Sequence, residues 1–209
     1  MTGLFITFEG TEGGGKSTQI TILAERLRVL GRAVRPLREP GGTPIGEEIR
    51  HTLKHSAANH AMNPETELLL MSASRAQLVR EVIRPALAAG EVVLCDRFYD
   101  STVAYQGHGR GLDQDRVRQV IGFAVGDTRP HLTLLLRVPV SVSEARRGAR
   151  GATQRDRFEE ADRAFFERVE QGYEVIAEAE PERVKKIDAT RSIDEVAADI
   201  WNRVEPFVR

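Results

Sequence analysis

Two kinds of segment alternate along the chain. Short runs rich in apolar residues, at 4–8, 33–37, 92–95, 132–138 and 184–187, read as strands. Between them lie longer stretches whose apolar residues recur at helical spacing, as in Ile20, Leu23, Ala24 and Leu27. Helices are predicted over 17–30, 44–54, 64–89, 113–125, 140–148, 159–179 and 192–206. Pro85 falls inside the third and is expected to start, kink or break a turn, because proline has no N–H to donate. Apolar strands separated by helices imply an α/β fold, a parallel sheet with helices on both faces. Such sheets bind ligands beyond the carboxyl ends of their strands. That rule brings three segments to one rim: residues 10–17, Arg38-Glu39-Pro40-Gly41-Gly42-Thr43, and Asp96-Arg97-Phe98-Tyr99.

Composition narrows the setting. A chain of 209 residues suits one domain, 1–209, with a substantial core, and is short for two. No repeat, low-complexity tract or linker divides it. Apolar residues at 41% and charged residues at 29% are those of a soluble globular protein. A net charge of −1 gives no global field to recruit nucleic acid or an anionic membrane, so neither is expected as a partner. No stretch approaches the length of an apolar membrane span, and the N-terminus lacks the layout of a signal peptide. The single Cys95 cannot form an internal disulfide and reads as a buried core residue in a reducing compartment. The expected location is cytoplasmic.

Candidate chemistry begins at Gly10-Thr11-Glu12-Gly13-Gly14-Gly15-Lys16-Ser17, a complete G-x-x-x-x-G-K-[ST] between a predicted strand and a predicted helix. Glycines let successive backbone N–H groups converge on phosphate oxygens, and the helix N-terminus behind them adds partial positive charge. Lys16 can reach the β- and γ-phosphates of a nucleoside triphosphate, the Ser17 hydroxyl can ligate Mg²⁺, and Thr18 follows in the expected nucleotide-binding run. Asp96 ends an apolar strand, where a P-loop protein holds the carboxylate that organises Mg²⁺ directly or through water. Arg97 and Arg38 offer planar forks for phosphate from the same rim. Five arginines fall within residues 146–157, punctuated by glycines. That segment is expected to be a lid that closes over the triphosphate, excludes water and supplies arginine in cis. His51, His55 and His60 come with no carboxylate in an H-E-x-x-H pattern and read as surface residues. The D-x-x-G and N-K-x-D signatures of a GTPase are missing from the sequence, and a nucleic-acid motor needs a basic track. Small-molecule phosphoryl transfer remains.

Four motifs then carry a resemblance over nearly the whole chain: Phe8-Glu9-Gly10-Thr11-Glu12-Gly13; Arg38-Glu39-Pro40-Gly41-Gly42-Thr43; Asp96-Arg97-Phe98; and the run from Ser101 to Gly111, STVAYQGHGRG. The chain resembles bacterial thymidylate kinases. The resemblance implies a P-loop nucleoside monophosphate kinase fold with a five-stranded parallel sheet, a homodimer, and the reaction ATP + dTMP → ADP + dTDP with Mg²⁺. It implies that Arg38 and Arg97 hold the acceptor phosphate, with Glu39 on the same substrate side. Arg75 would bond the thymine edge, with Ser101 and Gln106 helping to read it, and Tyr105 would crowd the sugar 2′ position. Eukaryotic-type relatives carry an arginine in the P-loop where this chain has Gly13 and Gly14. The bacterial type takes its catalytic arginines from the lid, here Arg150 and Arg157, with Arg147 stacking on adenine. At one position the pattern breaks: the family's thymine-stacking phenylalanine is Met71 in this chain. A kinase for another nucleoside monophosphate or a deoxynucleoside is therefore the alternative, and a binding module without turnover a third reading. An intact Lys16, Asp96 and arginine lid argue against the third.

Overall fold

The computed structural model describes residues 3–149, 157 and 162–208. Five strands, β1 (Leu4–Glu9), β2 (Val34–Arg38), β3 (Val92–Asp96), β4 (Leu132–Arg137) and β5 (Val184–Asp188), form one parallel sheet ordered β2-β3-β1-β4-β5. These are the predicted strands with their ends moved by one residue. All of β1 is buried, which explains why its apolar run shows no alternation. Nine helices surround the sheet among the described residues: α1 (Lys16–Val29), α2 (Pro44–Lys54), α3 (Pro64–Leu78), α4 (Arg84–Ala88), α5 (Tyr99–Thr102), α6 (Gln114–Val125), α7 (Val140–Ala149), α8 (Arg163–Ala179) and α9 (Ile193–Val208).

Successive strand side chains point to opposite faces, and β1 feeds a core on each. Leu4, Ile6 and Phe8 pack with Leu23 and Leu27 of α1 and with Val196 and Ile200 of α9. Phe5 packs on the other face with Leu78 of α3 and Val117 and Ile121 of α6. A third cluster joins Leu135 of β4 and Tyr105 to Phe165, Val169 and Tyr173 of α8. Cys95, within β3, is free and fully buried, and burial pushes its thiol pKa well above the usual value. Among the described residues no helix is long and apolar enough to cross a membrane.

Two helical stretches differ from the pattern reading. The predicted helix 64–89 is interrupted: α3 runs into a π-helical turn, Val79–Ile83, closed by the Arg84 N–H on the Val79 carbonyl, before α4 resumes. Pro85 is the reason, since it cannot donate to the preceding turn and its ring needs the room a widened turn provides. Residues 99–109, given no helix from the sequence, form α5 and a second π-helical turn, Val103–Gly109. Gly107 and Gly109 obscure the periodicity, yet both sit in the π-helical turn. A Cβ at Gly109 would lie 2.6 Å from the Phe165 ring, so glycine serves close packing against α8 rather than a reversal.

Candidate active site

β1 passes to α1 through residues 10–15. Gly10 has φ +119°, and a Cβ there would sit 2.2 Å from the Leu136 carbonyl oxygen, so no side chain fits. Gly15 precedes α1 in the left-handed region, no side chain caps the helix, and its first turn holds no acidic residue. The N–H groups of that turn stay available to an anion at the positive end of the helix dipole. Buried Lys16 donates from Nζ to the carbonyls of Gly10 (3.1 Å) and Thr11 (2.9 Å). Burial, followed by the nearby Arg97, lowers its pKa to about 8 against the opposing charges of Asp96, Glu9 and Glu12. Ser17 Oγ donates to Asp96 Oδ2 at 3.1 Å. Parallel pairing aligns Asp96 with Phe8 on one side and Arg38 on the other, so the three predicted segments do share a rim. The Ser17 hydroxyl and Asp96 carboxylate are hard oxygen donors of the kind Mg²⁺ accepts alongside waters and phosphate oxygens.

A cavity of about 220 Å³ opens over this rim. Of the predicted residues, Glu12, Gly13, Gly15, Lys16, Ser17, Thr18, Arg38, Glu39, Met71, Arg75, Asp96, Arg97, Ser101, Tyr105 and Gln106 line it. Gly10, Thr11 and Gly14 shape the loop without lining the cavity. Arg97 has φ +71°, the one positive φ on a non-glycine among the described residues, a strained setting for a long side chain. Its N–H donates to the Phe8 carbonyl at 2.9 Å, and its guanidinium donates to Ser101 Oγ (3.1 Å), Tyr105 OH (3.2 Å) and Tyr173 OH (3.3 Å). Arg38 stands half exposed at the mouth and donates to Glu47 Oε2 at 2.9 Å. Arg75 is buried; it donates from Nε to Glu39 Oε2 (2.8 Å), from Nη1 to Thr102 Oγ1 (2.9 Å) and from Nη2 to the Phe98 carbonyl (3.1 Å). Burial raises the pKa of Glu39, opposed by Arg75, and Glu39 Oε1 has no hydrogen-bond partner among the described residues. Met71 lies one helical turn before Arg75 on α3 and packs against the cluster that holds Tyr105.

Sequence reasoning assigned no role to several residues that hold this arrangement. Glu9, fully buried, accepts hydrogen bonds from the Phe98 N–H (2.7 Å), Ser101 Oγ and Tyr173 OH (2.9 Å). Burial, then Asp100, raises its pKa to about 7. The signal was a carboxylate ending an apolar strand, the same signal that picked out Asp96 on β3. Glu67 of α3, also fully buried, gathers Gln106, Arg110 and Arg157. Arg50 and Lys54 of α2 add two further cations to the cavity wall. The arginines assigned to the lid behave differently from one another. Arg157 is not brought to the P-loop; it donates to Glu67 and, at 2.7 Å, to the Met62 carbonyl, because that buried carboxylate offers a stronger acceptor than solvent. Arg150 and the Arg147 side chain lie outside the described residues. Arg146, counted with the lid arginines from the sequence, instead lies within α7 and ties that helix to the P-loop through the Gly13 carbonyl at 3.2 Å.

Comparison with known proteins agrees with this geometry. A family model described as thymidylate kinase matches residues 8–200. A thymidylate kinase of Pseudomonas syringae pv. tomato is 52% identical over 200 residues, 96% of this chain and 94% of the relative. One of Deinococcus radiodurans is 51% identical over 202 residues, 97% of this chain and 96% of the relative. The crystal structure of thymidylate kinase from Ehrlichia chaffeensis superposes with a TM-score of 0.78 at 31% identity, covering 98% of this chain and 99% of that one.

Proposed function

The chain belongs to the thymidylate kinase family, and from that premise we propose that it transfers the γ-phosphoryl group of ATP to dTMP, giving dTDP and ADP. The observation that carries this reading is the convergence of Lys16, the Ser17–Asp96 pair, Arg97, Arg75 and Gln106 on one cavity. ATP phosphates lie on the backbone N–H groups of residues 13–18, where Lys16 exchanges its two carbonyl partners for phosphate oxygens. Ser17 and Asp96 would hold Mg²⁺, directly or through water, and the ion would supply positive charge against the triphosphate. Arg38 and Arg97 hold the acceptor phosphate so that one of its oxygens faces the γ-phosphorus in line with the departing ADP oxygen. That oxygen forms the new P–O bond as the bond to ADP breaks, and catalysis is mainly positioning and charge stabilisation. Arg75 donates to the thymine O4, Gln106 and Ser101 complete base reading, and Tyr105 crowds the 2′ position. Arg150 and Arg157 belong to the closing lid, with Arg147 beside adenine.

Residues 1–209 act as one catalytic domain in this reading, in the cytoplasm, where the free Cys95 stays reduced. A homodimer is supported by exposed apolar residues on α3 and the two helices packed against it: Leu69 of α3, Ile45 of α2 and Phe123 of α6. A coupled ADP-release assay across dTMP, dUMP, dCMP, dGMP and AMP tests the function. Turnover confined to dTMP supports it. A clear preference for another monophosphate, which Met71 in place of a stacking ring favours, would replace it with the second reading.

A further inference from the structure

Gln106 is 1% exposed, on the second π-helical turn, and its Nε2 donates to Glu67 Oε1 at 2.8 Å. Glu67 also receives Arg110 on both oxygens, at 3.2 and 3.0 Å, and Arg157 on Oε2. A carboxylate held between two guanidiniums accepts and does not donate. Only the NH₂ end of Gln106 can face it. The usual twofold ambiguity of a side-chain amide is thereby removed, and the carbonyl end, Oε1, is turned away from Glu67. Gln106 lines the cavity, so the end not taken by Glu67 is an acceptor on the cavity wall. Arg75, on the same wall, is pinned by Glu39, Thr102 and the Phe98 carbonyl and presents donors only. The wall therefore carries one acceptor and one donor of fixed identity.

We propose that Glu67 is a positioning residue that sets the polarity with which Gln106 reads the base. It selects a pyrimidine that has a ring N–H beside a carbonyl oxygen and rejects one that has a ring nitrogen acceptor beside an amine. With the amino-pyrimidine, acceptor would face Oε1 and donor would face the guanidinium, leaving buried polar groups unpaired on both sides. The inference rests on the dTMP reading above, which sets a pyrimidine against Gln106.

The test measures kcat/KM for dTMP and dCMP side by side in the wild type and in Glu67→Gln, whose neutral amide tolerates either end of Gln106. The dTMP-to-dCMP ratio is expected to fall about tenfold. A fall of less than threefold, even with both substrates slowed, overturns the inference, because a merely structural role would lower both alike; any larger fall supports it. A wild type that does not phosphorylate dTMP counts against the proposed function instead. Side-chain amide spectra of the ¹⁵N-labelled wild type decide the matter if the variant does not fold. The Gln106 Nε2 protons are expected to show contacts with the Glu67 Hγ protons and to keep them when dTMP is added. Contacts that move to the base would overturn the inference.

Discussion

Lys16 enters binding with its pKa lowered to about 8 by burial, so part of it is neutral above that pH. A bound triphosphate reverses the balance by adding negative charge, which raises the pKa again. ATP binding at pH 8.5–9 is therefore expected to take up a proton, read as a dependence of calorimetric enthalpy on buffer ionisation enthalpy. Lys16→Met should abolish that uptake and cut kcat to below a tenth; uptake unchanged in the variant would assign the proton to another group. Met71 invites a second prediction. Base–aromatic stacking is worth about 1–3 kcal/mol, and a thioether recovers part of it. Met71→Phe should tighten dTMP binding by less than about tenfold, or ~1.4 kcal/mol. Arg75→Ala should weaken binding by more, because it removes the proposed base donor and strands the buried Glu39 charge. Both are read by titrating dTMP without ATP. If Met71→Phe and Met71→Ala leave affinity unchanged, residue 71 does not face the base. Lys16, Ser17 and Asp96 were legible because each sits at a local landmark, a contiguous motif or a strand end. Glu67 was not: nothing beside it on α3 announces that Gln106 and Arg110 will meet it from another element.

At the scale of elements, the central strands β1, β3 and β4 could be read directly because they are covered on both faces and show little polar alternation, whereas the edge strands β2 and β5 keep charged, exposed positions. The two π-helical turns could not be read. A widened turn has no periodicity of its own, and Val103–Gly109 is further hidden by glycines that answer to the side chains of α6 and α8. That turn nonetheless carries Tyr105 and Gln106, in keeping with the use of such turns at functional sites. The connection from α7 to α8 bears the third prediction. Arg157 rests on Glu67 and Met62, so the proposed role on the phosphoryl group requires it to exchange those partners first. A contact made late contributes most in the transition state, and Arg157→Ala should lower kcat far more than it raises the KM for dTMP. Steady-state kinetics with dTMP varied at saturating ATP decide this. A loss wholly in KM would make Arg157 a ground-state binding residue and move the catalytic assignment to Arg150 or Arg147.

For the molecule as a whole, Glu9 links the site to stability. Its folded pKa is raised from 4.5 to about 7, so between those values the folded chain holds a proton that the unfolded chain has lost. Its contribution to stability therefore falls as pH rises through that window. Several carboxylates outside the core, Glu47, Glu91 and Glu195 among them, are shifted downward and act oppositely, losing their contribution only as pH falls below about 4.5. Glu9→Gln cannot ionise and should gain thermal stability relative to the wild type as pH rises from 5 to 8. Melting curves of both proteins at the two pH values measure this, and an equal difference at both would mean that Glu9 titrates alike folded and unfolded. The partners of Glu9 also give the pocket a history. Ser101 lies 92 residues along the chain from Glu9, and Tyr173 lies 164. A ribosome therefore releases the whole phosphate loop early and the residue that completes its flanking carboxylate late. All the residues that line the cavity, Glu12 to Gln106, are thus made before the hydroxyl that completes the Glu9 cluster. Until α8 is made and docked, the Glu9 carboxylate lacks its Tyr173 partner, and a product truncated before Tyr173 never gains it.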